Sequence, residues 1–511
     1  MFETAQDCLF FVQKYSLQAK RGVQIIMNEL TLKLKNISVS FGNKDIFDIE
    51  NLSAYMNDRI AITGNNGAGK STLLKIIAGE FKDFTSEVQR ETDFNYLSQI
   101  GETDESTGDY MDYEMLSRMN VPENENLSGG EETKLRLVQT LSDYKTGLLL
   151  DEPTTHLDHE SIEYLIKELE YYYGTLIFVS HDRYFINSLA TKIWEVSEGT
   201  VTEYTGNYND YEAIKNQEKL ELAREHENVL KEKDRLNAAI NKQKAKAEKM
   251  MSGTKGKGQD IKPDRLSSSK QKDTVQKQAF KTAKAMESRM EQLHEIKLPD
   301  SRSELEFPQS ETMELHNKFP VMGQNVTVQR GNRILLDNVS FQFPLGQTIA
   351  VTGKNGAGKS SFLADLVIEA EGFDISPKVT IEQYRQMDYK LYGDESTVQF
   401  LMRHTELQEP VVRSMLVSLG FSPHEVMKPV NKLSGGEATR VSMALLFVKP
   451  SNIIILDEPT NFIDLGTIEA LEKFIKAYHG TIILTSHDRY FVERTADLIY
   501  KIEDKKLQQI K

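Results

Sequence analysis

Thr63-Gly64-Asn65-Asn66-Gly67-Ala68-Gly69-Lys70-Ser71 returns, with one exchange, as Thr352-Gly353-Lys354-Asn355-Gly356-Ala357-Gly358-Lys359-Ser360, followed by Thr72 in the first copy and Ser361 in the second. Each copy comes after a short apolar run, Arg59 to Thr63 or Thr348 to Thr352, and leads into a helical pattern, the strand–turn–helix context of a phosphate-binding P-loop. The glycines let backbone N–H groups and a helix N-terminus surround phosphate oxygens. Lys70 and Lys359 add charge at the β and γ phosphates, and Ser71 and Ser360 offer a hydroxyl to Mg²⁺.

Three more segments recur in the same order. Leu127-Ser128-Gly129-Gly130-Glu131 returns as Leu433-Ser434-Gly435-Gly436-Glu437, and Leu150-Asp151-Glu152-Pro153-Thr154 as Leu456-Asp457-Glu458-Pro459-Thr460. Ser180-His181-Asp182-Arg183-Tyr184-Phe185 returns as Ser486-His487-Asp488-Arg489-Tyr490-Phe491. These share an offset of 306 residues, against 289 for the P-loops, so the chain is a tandem repeat whose first half is shorter by 17 residues. Gln99 and Ser128 are 29 residues apart and Gln386 and Ser434 are 48 apart, which places the deficit there. Each acidic pair ends an apolar run that reads as a buried strand, the edge where an open α/β sheet puts its ligands. Asp151 and Asp457 suit Mg²⁺, and Glu152 and Glu458 suit polarising the attacking water. His181 and His487 follow another apolar strand and should reach the same cleft, near a γ-phosphate.

Between the halves, from about Asn209 to Pro299, glycine and aromatics thin out in favour of Lys, Glu, Gln and Ala, which reads as helix. The rows Leu222, Val229, Leu236, Ile240, Ala247 and Ala279, Ala283, Met286, Met290, Leu293 predict two helices packed as an antiparallel hairpin, with its turn at Ser252 to Ser269. Such an arm reaches about 60 Å at 1.5 Å per residue. The whole chain of 511 residues carries a formal charge of −15. Residues 241–290, however, hold 14 Lys or Arg against 5 Asp or Glu, a balance of +9 that leaves −24 elsewhere. Lys244, Lys246, Lys249, Lys255, Lys257, Lys262, Arg265 and Lys270 cluster at the tip and favour a phosphate-rich partner there. A single cysteine excludes an internal disulfide, and no run approaches the ~20 apolar residues of a membrane span. Residues 1–26 lack the basic start of a secretory signal and have no counterpart in the second half, so Met27 is the expected functional start. Trp194 and Tyr171-Tyr172-Tyr173 flank predicted strands and are expected to pack in the interior.

P-loop, glutamine, Leu-Ser-Gly-Gly-Glu, acidic pair and histidine, in this order and twice, resemble the ATP-binding cassette superfamily. Two cassettes on one chain, no membrane domain and a charged helical linker resemble its ABC-F group of ribosome-associated ATPases. The resemblance covers nearly the whole chain. It implies an α/β fold of two tandem cassettes, 27–208 and 300–511, after an extension over 1–26 and joined by the hairpin over 209–299. It further implies two ATPs sandwiched head to tail. One site would combine Lys70, Ser71, Gln99, Asp151, Glu152 and His181 with Ser434, Gly435 and Gly436. The other would combine Lys359, Ser360, Gln386, Asp457, Glu458 and His487 with Ser128, Gly129 and Gly130, the glutamines joining Ser and Asp around Mg²⁺. Phe41, 23 residues before Gly64, holds the position where cassettes stack an aromatic on adenine. The same spacing before Gly353 falls on Arg330, where an Arg plane could substitute. The pairs Leu157-Asp158 and Ile463-Asp464, with their differing flanks, hint at unequal sites.

The short Gln99–Ser128 region matches a nearly absent "arm" insertion. Together with the long linker, that resembles the antibiotic-resistance ABC-F proteins. These are expected to be cytoplasmic, to enter the exit site of the 70S ribosome, and to extend the linker along ribosomal RNA and P-site tRNA towards the peptidyl-transferase centre, displacing drug. No obligate partner subunit is expected. A translation factor acting on stalled or initiating ribosomes without a drug stays open, as does, more remotely, the energising subunit of a transporter.

Overall fold

Alternation of apolar residues along Leu30–Phe41, with Leu32, Leu34, Ile37 and Val39 buried, makes this segment a strand with one face on a core. The computed structural model describes residues 29–42, 44–81, 84–98, 111–119, 121, 129–155, 157–252, 278, 281–282, 284–290, 315–384, 391–422, 424–461 and 463–511. The N-terminal extension, Met27, the tip turn and its Lys255, Lys257, Lys262, Arg265 and Lys270 lie outside them, as do Gln99, Ser128 and Gln386.

The chain divides into two compact units, 1–209 with 306–511, and 210–305. The strands of the first cassette are β1 (Leu30–Phe41), β2 (Lys44–Tyr55), β3 (Arg59–Gly64), β4 (Thr85–Arg90), β5 (Phe94–Leu97), β6 (Gly147–Asp151), β7 (Thr175–Val179), β8 (Lys192–Ser197) and β9 (Thr200–Thr205). They form one sheet in the order β4-β1-β2-β9-β8-β3-β7-β6-β5. Its middle, β8-β3-β7-β6-β5, is parallel. Both faces of those strands are covered, which is why β6 and β7 are apolar throughout.

The second cassette repeats the plan with β10 (Val321–Arg330), β11 (Arg333–Phe343), β12 (Thr348–Gly353), β13 (Phe373–Ile375), β14 (Ile381–Tyr384), β15 (Ile453–Asp457), β16 (Thr481–Thr485), β17 (Leu498–Glu503) and β18 (Lys506–Gln509). Here the sheet divides into β11-β10-β13 and β14-β15-β16-β12-β17-β18. The joint that β2 and β9 make in the first cassette, Asp48 N–H to Gly199 O at 2.7 Å, survives as Asp337 N–H to Lys505 O at 2.9 Å without becoming a ladder. Each cassette has its own core under the P-loop helix, Lys70–Ala78 or Lys359–Val367.

Trp194 is fully buried in β8, its indole N–H on Glu203 at 2.9 Å. The tyrosine triplet departs from expectation: Tyr171 and Tyr173 are 88% and 53% exposed. The helix His159–Tyr171 ends there and the chain turns extended, so only the middle residue points inward, with its hydroxyl donating to the Lys145 carbonyl.

In the second unit, helix Tyr208–Ser252 runs for 45 residues. Leu236 and Ile240 are buried as the apolar row predicts, while Leu222 is exposed. Helical residues 284–290 contribute ion pairs to it, Glu287 with Lys244 at 2.7 Å and Arg289 with Glu232 at 3.7 Å. Lys244 is thus paired at the edge of the basic cluster; Lys246 and Lys249 belong to the same helix. No described helix is long and apolar enough to cross a membrane.

Candidate nucleotide sites

Both P-loops depend on a glycine pressed against a neighbouring strand. Gly64 ends β3 at φ 142°, where a Cβ would stand 2.3 Å from the Val196 carbonyl oxygen; Gly353 repeats this at φ 149° and 2.8 Å from Ile502 O. The loops then enter helices Lys70–Ala78 and Lys359–Val367, whose N-terminal amides face the loop interior. Lys70 Nζ donates to the carbonyls of Gly64 and Asn65 at 2.8 and 3.1 Å. Lys359 does the same at Gly353 and Lys354, 2.9 and 3.3 Å, and lies 3.0 Å from His487 Nε2. Burial lowers the pKa of both ammonium groups, against the pull of Glu152 and Glu458.

The carboxylates arrive on the ends of β6 and β15. Asp151 is buried, which raises its carboxyl pKa, and the Tyr96 hydroxyl donates to its Oδ2 at 3.4 Å. Asp457 Oδ1 instead accepts from Ser360 Oγ at 3.0 Å and Thr485 Oγ1 at 2.7 Å. Glu152 and Glu458 take the left-handed φ values 53° and 47°, uncommon for a residue with a Cβ and typical of functional positions. Each glutamate therefore lies beside its histidine: His181 Nε2 is 3.2 Å from Glu152 Oε1, and His487 Nε2 is 3.2 Å from Glu458 Oε1. The histidine backbone N–H groups donate to the other carboxylate oxygen at 3.3 and 3.2 Å.

Burial pushes both glutamates up to about 7. Burial, aided by Lys70 or Lys359, pushes both histidines down to about 3. The result is a neutral imidazole beside a carboxyl poised near neutrality, a useful state for a general base. Asp151 Oδ1, Glu152 Oε1 and Glu458 Oε1 are buried without a hydrogen-bond partner. Together with the serine hydroxyls they form a set of hard oxygen donors that fits Mg²⁺.

A cleft of ≈ 530 Å³ opens at the first P-loop. Phe41, Lys70, Ser71, Glu152 and His181 line it from the first cassette, and Thr460, Asn461, Ile468 and His487 from the second. Ser434, Gly435 and Gly436 are not among its lining residues. Ser434 caps helix Gly435–Val448 through a reciprocal pair with Glu437, and both glycines have open space where a Cβ would stand. Gly129 and Gly130 open the matching helix, Gly129–Ser142.

Sequence reasoning missed what joins the cassettes. Asn66 N–H donates to Asp464 Oδ2 at 2.9 Å, and Asn355 N–H to the Asp158 carboxylate in mirror fashion. Each of these aspartates also caps its own helix. Their recurrence at the 306-residue offset was the available signal. Arg183 is fully buried against Glu472 at 2.5 Å and Asp488 at 3.4 Å, whereas its repeat partner Arg489 bonds an exposed neighbour, Glu493.

A family model described as ABC transporter matches residues 47–114 and 336–461, and a second with the same description matches 194–307. The chain is 40% identical over 488 residues to the Erythromycin resistance ATP-binding protein MsrA of Staphylococcus epidermidis, covering 95% of this chain and 100% of that protein. The chain belongs to the ABC-F subfamily of the ATP-binding cassette superfamily, antibiotic-resistance type. It is an ATPase, turning ATP and water into ADP and phosphate. The Ribosome protection protein VmlR of Bacillus subtilis (strain 168) is 32% identical over 478 residues, 91% of this chain and 85% of VmlR. In fold, this ABC-F chain is similar to the solved RNase-L Inhibitor, at TM-score 0.61 and 17% identity over 93% of this chain and 91% of that one.

Proposed function

We propose that this ATPase protects the ribosome from antibiotics of the peptidyl-transferase centre, binding at the exit site and using the inter-cassette hairpin to displace drug. The observation that carries the mechanism is at the root of the linker. Asn209, in the first turn of helix Tyr208–Ser252, donates its N–H to Asn187 Oδ1 of the first cassette at 3.1 Å. It also accepts from Tyr490 Oη of the second at 3.4 Å. A change in cassette pairing therefore acts on the base of that helix from both sides. The names of MsrA and VmlR, which specify erythromycin resistance and ribosome protection, support the cellular role.

In each site Lys70 or Lys359 binds the β and γ phosphates, with Ser71 and Asp151, or Ser360 and Asp457, holding Mg²⁺. Bound there, Mg²⁺ would neutralise developing phosphate charge. Glu152 or Glu458 accepts a proton from the attacking water, and neutral His181 or His487 hydrogen-bonds the γ-phosphate. The opposite cassette contributes Ser434 to Gly436, or Ser128 to Gly130, when the pair closes on nucleotide. Hydrolysis reopens the pair and releases the ribosome. Ribosomal RNA and P-site tRNA are the surfaces met by the basic hairpin tip, in the cytoplasm.

Protein carrying both Glu152→Gln and Glu458→Gln should stop turning over, retain ATP and co-sediment with 70S ribosomes; unimpaired turnover would overturn the site assignment. Deleting Ser252 to Ser269 should leave ATPase activity intact and abolish drug protection in cells. Preserved resistance would sink the role of the tip, and ribosome binding without any change in drug sensitivity would favour a translation factor.

A further inference from the structure

Base recognition in the second site involves a residue pair that the first site lacks. Phe41 ends β1 opposite Lys44 of the hairpin, half exposed and edge-on to Phe81 at 5.6 Å. Arg330 holds the same register at the end of β10, opposite Arg333. Its guanidinium is fixed along its rim. Nη2 donates to Asp365 Oδ1 at 2.6 Å and to Ser361 O at 3.2 Å, and Nη1 donates to Asp365 Oδ2 at 3.3 Å and to Gln329 O at 2.9 Å. Guanidinium hydrogen bonds lie in the plane of the group, so these four leave its faces for stacking.

Two of the three acceptor residues, Asp365 and Ser361, belong to helix Lys359–Val367, which begins at the P-loop lysine. The plate is therefore tied to the element that would cradle the phosphates. In the first cassette the Asp365 position is Ile76, fully buried, so the two members of the pair differ together: Phe41 with Ile76, Arg330 with Asp365. An unanchored arginine would sample many rotamers and make a poor platform. Asp365, with its side chain only 10% exposed, removes that freedom.

We propose that Asp365 holds the Arg330 guanidinium flat as the base-stacking platform of the second nucleotide site, which grips the purine of a nucleoside triphosphate with a cationic plate where the first site uses an aromatic ring. The proposal rests on Lys359 and Ser360 being the phosphate and metal ligands of that site. Stacking on a plate reads no base edge, so the second site should accept any purine triphosphate.

The test uses the full chain carrying Lys70→Ala, which silences the first site, titrated calorimetrically with Mg²⁺-ATP and with Mg²⁺-tripolyphosphate, which has no base. Stacking is worth ~1–3 kcal/mol per base, so Arg330→Ala and Asp365→Ala should each weaken ATP by about tenfold while leaving tripolyphosphate unchanged. Arg330→Phe should restore ATP affinity and Arg330→Lys should not. Equal loss for both ligands would mean that the pair merely braces the P-loop helix, and no loss for either would reduce it to a surface ion pair; both results overturn the platform. Lys359→Ala in the same background must abolish binding of both ligands. If it does not, the site assignment itself has failed and the platform falls with it.

Discussion

Replacing Glu152 by Gln should stabilise the nucleotide-free protein at alkaline pH while removing turnover at the first site. The Glu152 carboxyl is buried beside Asp151 and pushed up to about 7 from its ordinary 4.5. Between those two values the folded chain holds the proton that the unfolded chain has released, so stability falls as pH rises through that window. A gap of roughly 2.5 at 1.36 kcal/mol each amounts to about 3 kcal/mol lost by pH 8 and under about 1 kcal/mol at pH 5. Gln keeps the size of the side chain and the same strained φ of 53°, so the comparison isolates the charge. Urea unfolding of wild type and variant without nucleotide, at pH 5 and pH 8, measures the difference. The two midpoints should nearly coincide at pH 5, with the variant clearly higher at pH 8. If the gap between them did not widen with pH, the carboxylate would be ionising without a burial cost, and the account of a base poised near neutrality would be refuted.

Arg183→Ala should cost about 3–5 kcal/mol by leaving the Glu472 and Asp488 carboxylates buried without their cation, while Arg489→Ala should cost under about 1 kcal/mol; equal thermal shifts in the two variants would contradict the one-sided burial. Thr485→Val should destabilise by about 1 kcal/mol through the loss of the hydroxyl that links Asp457 to the Glu458 N–H, with Thr485→Ser restoring it. An unfolding midpoint unchanged in the valine variant would show that this bridge is idle.

Local motifs made the phosphate loops, the strand-end carboxylates and the histidines legible, because each of those functions needs particular residue types at short spacing. What escaped depends on contacts across hundreds of residues. Arg183 and Arg489 sit in identical Ser-His-Asp-Arg-Tyr-Phe segments, yet one is buried and the other exposed. The difference lies in what each meets in the other cassette: Arg183 meets Glu472, whose repeat counterpart is Ile166. The unequal holding of the metal-site aspartates was hidden in the same way. Thr485 occupies the place of Val179 and Gln383 that of Tyr96, exchanges that look conservative in a strand until the sheet register aligns them. The exposed Tyr171 and Tyr173 were misread because a helix end shifts the side-chain period from 3.6 to 2.

Arg183 also bears on the ancestry of the repeat. Two copies of the first half, paired in the same way, would set Arg183 against Ile166 at both contacts, burying a cation opposite a hydrocarbon. Two copies of the second would face Glu472 with Arg489, so charge would be matched twice over and the asymmetry lost. The halves have ceased to be interchangeable parts, and the chain is committed to one partner arrangement that only its own covalent order supplies.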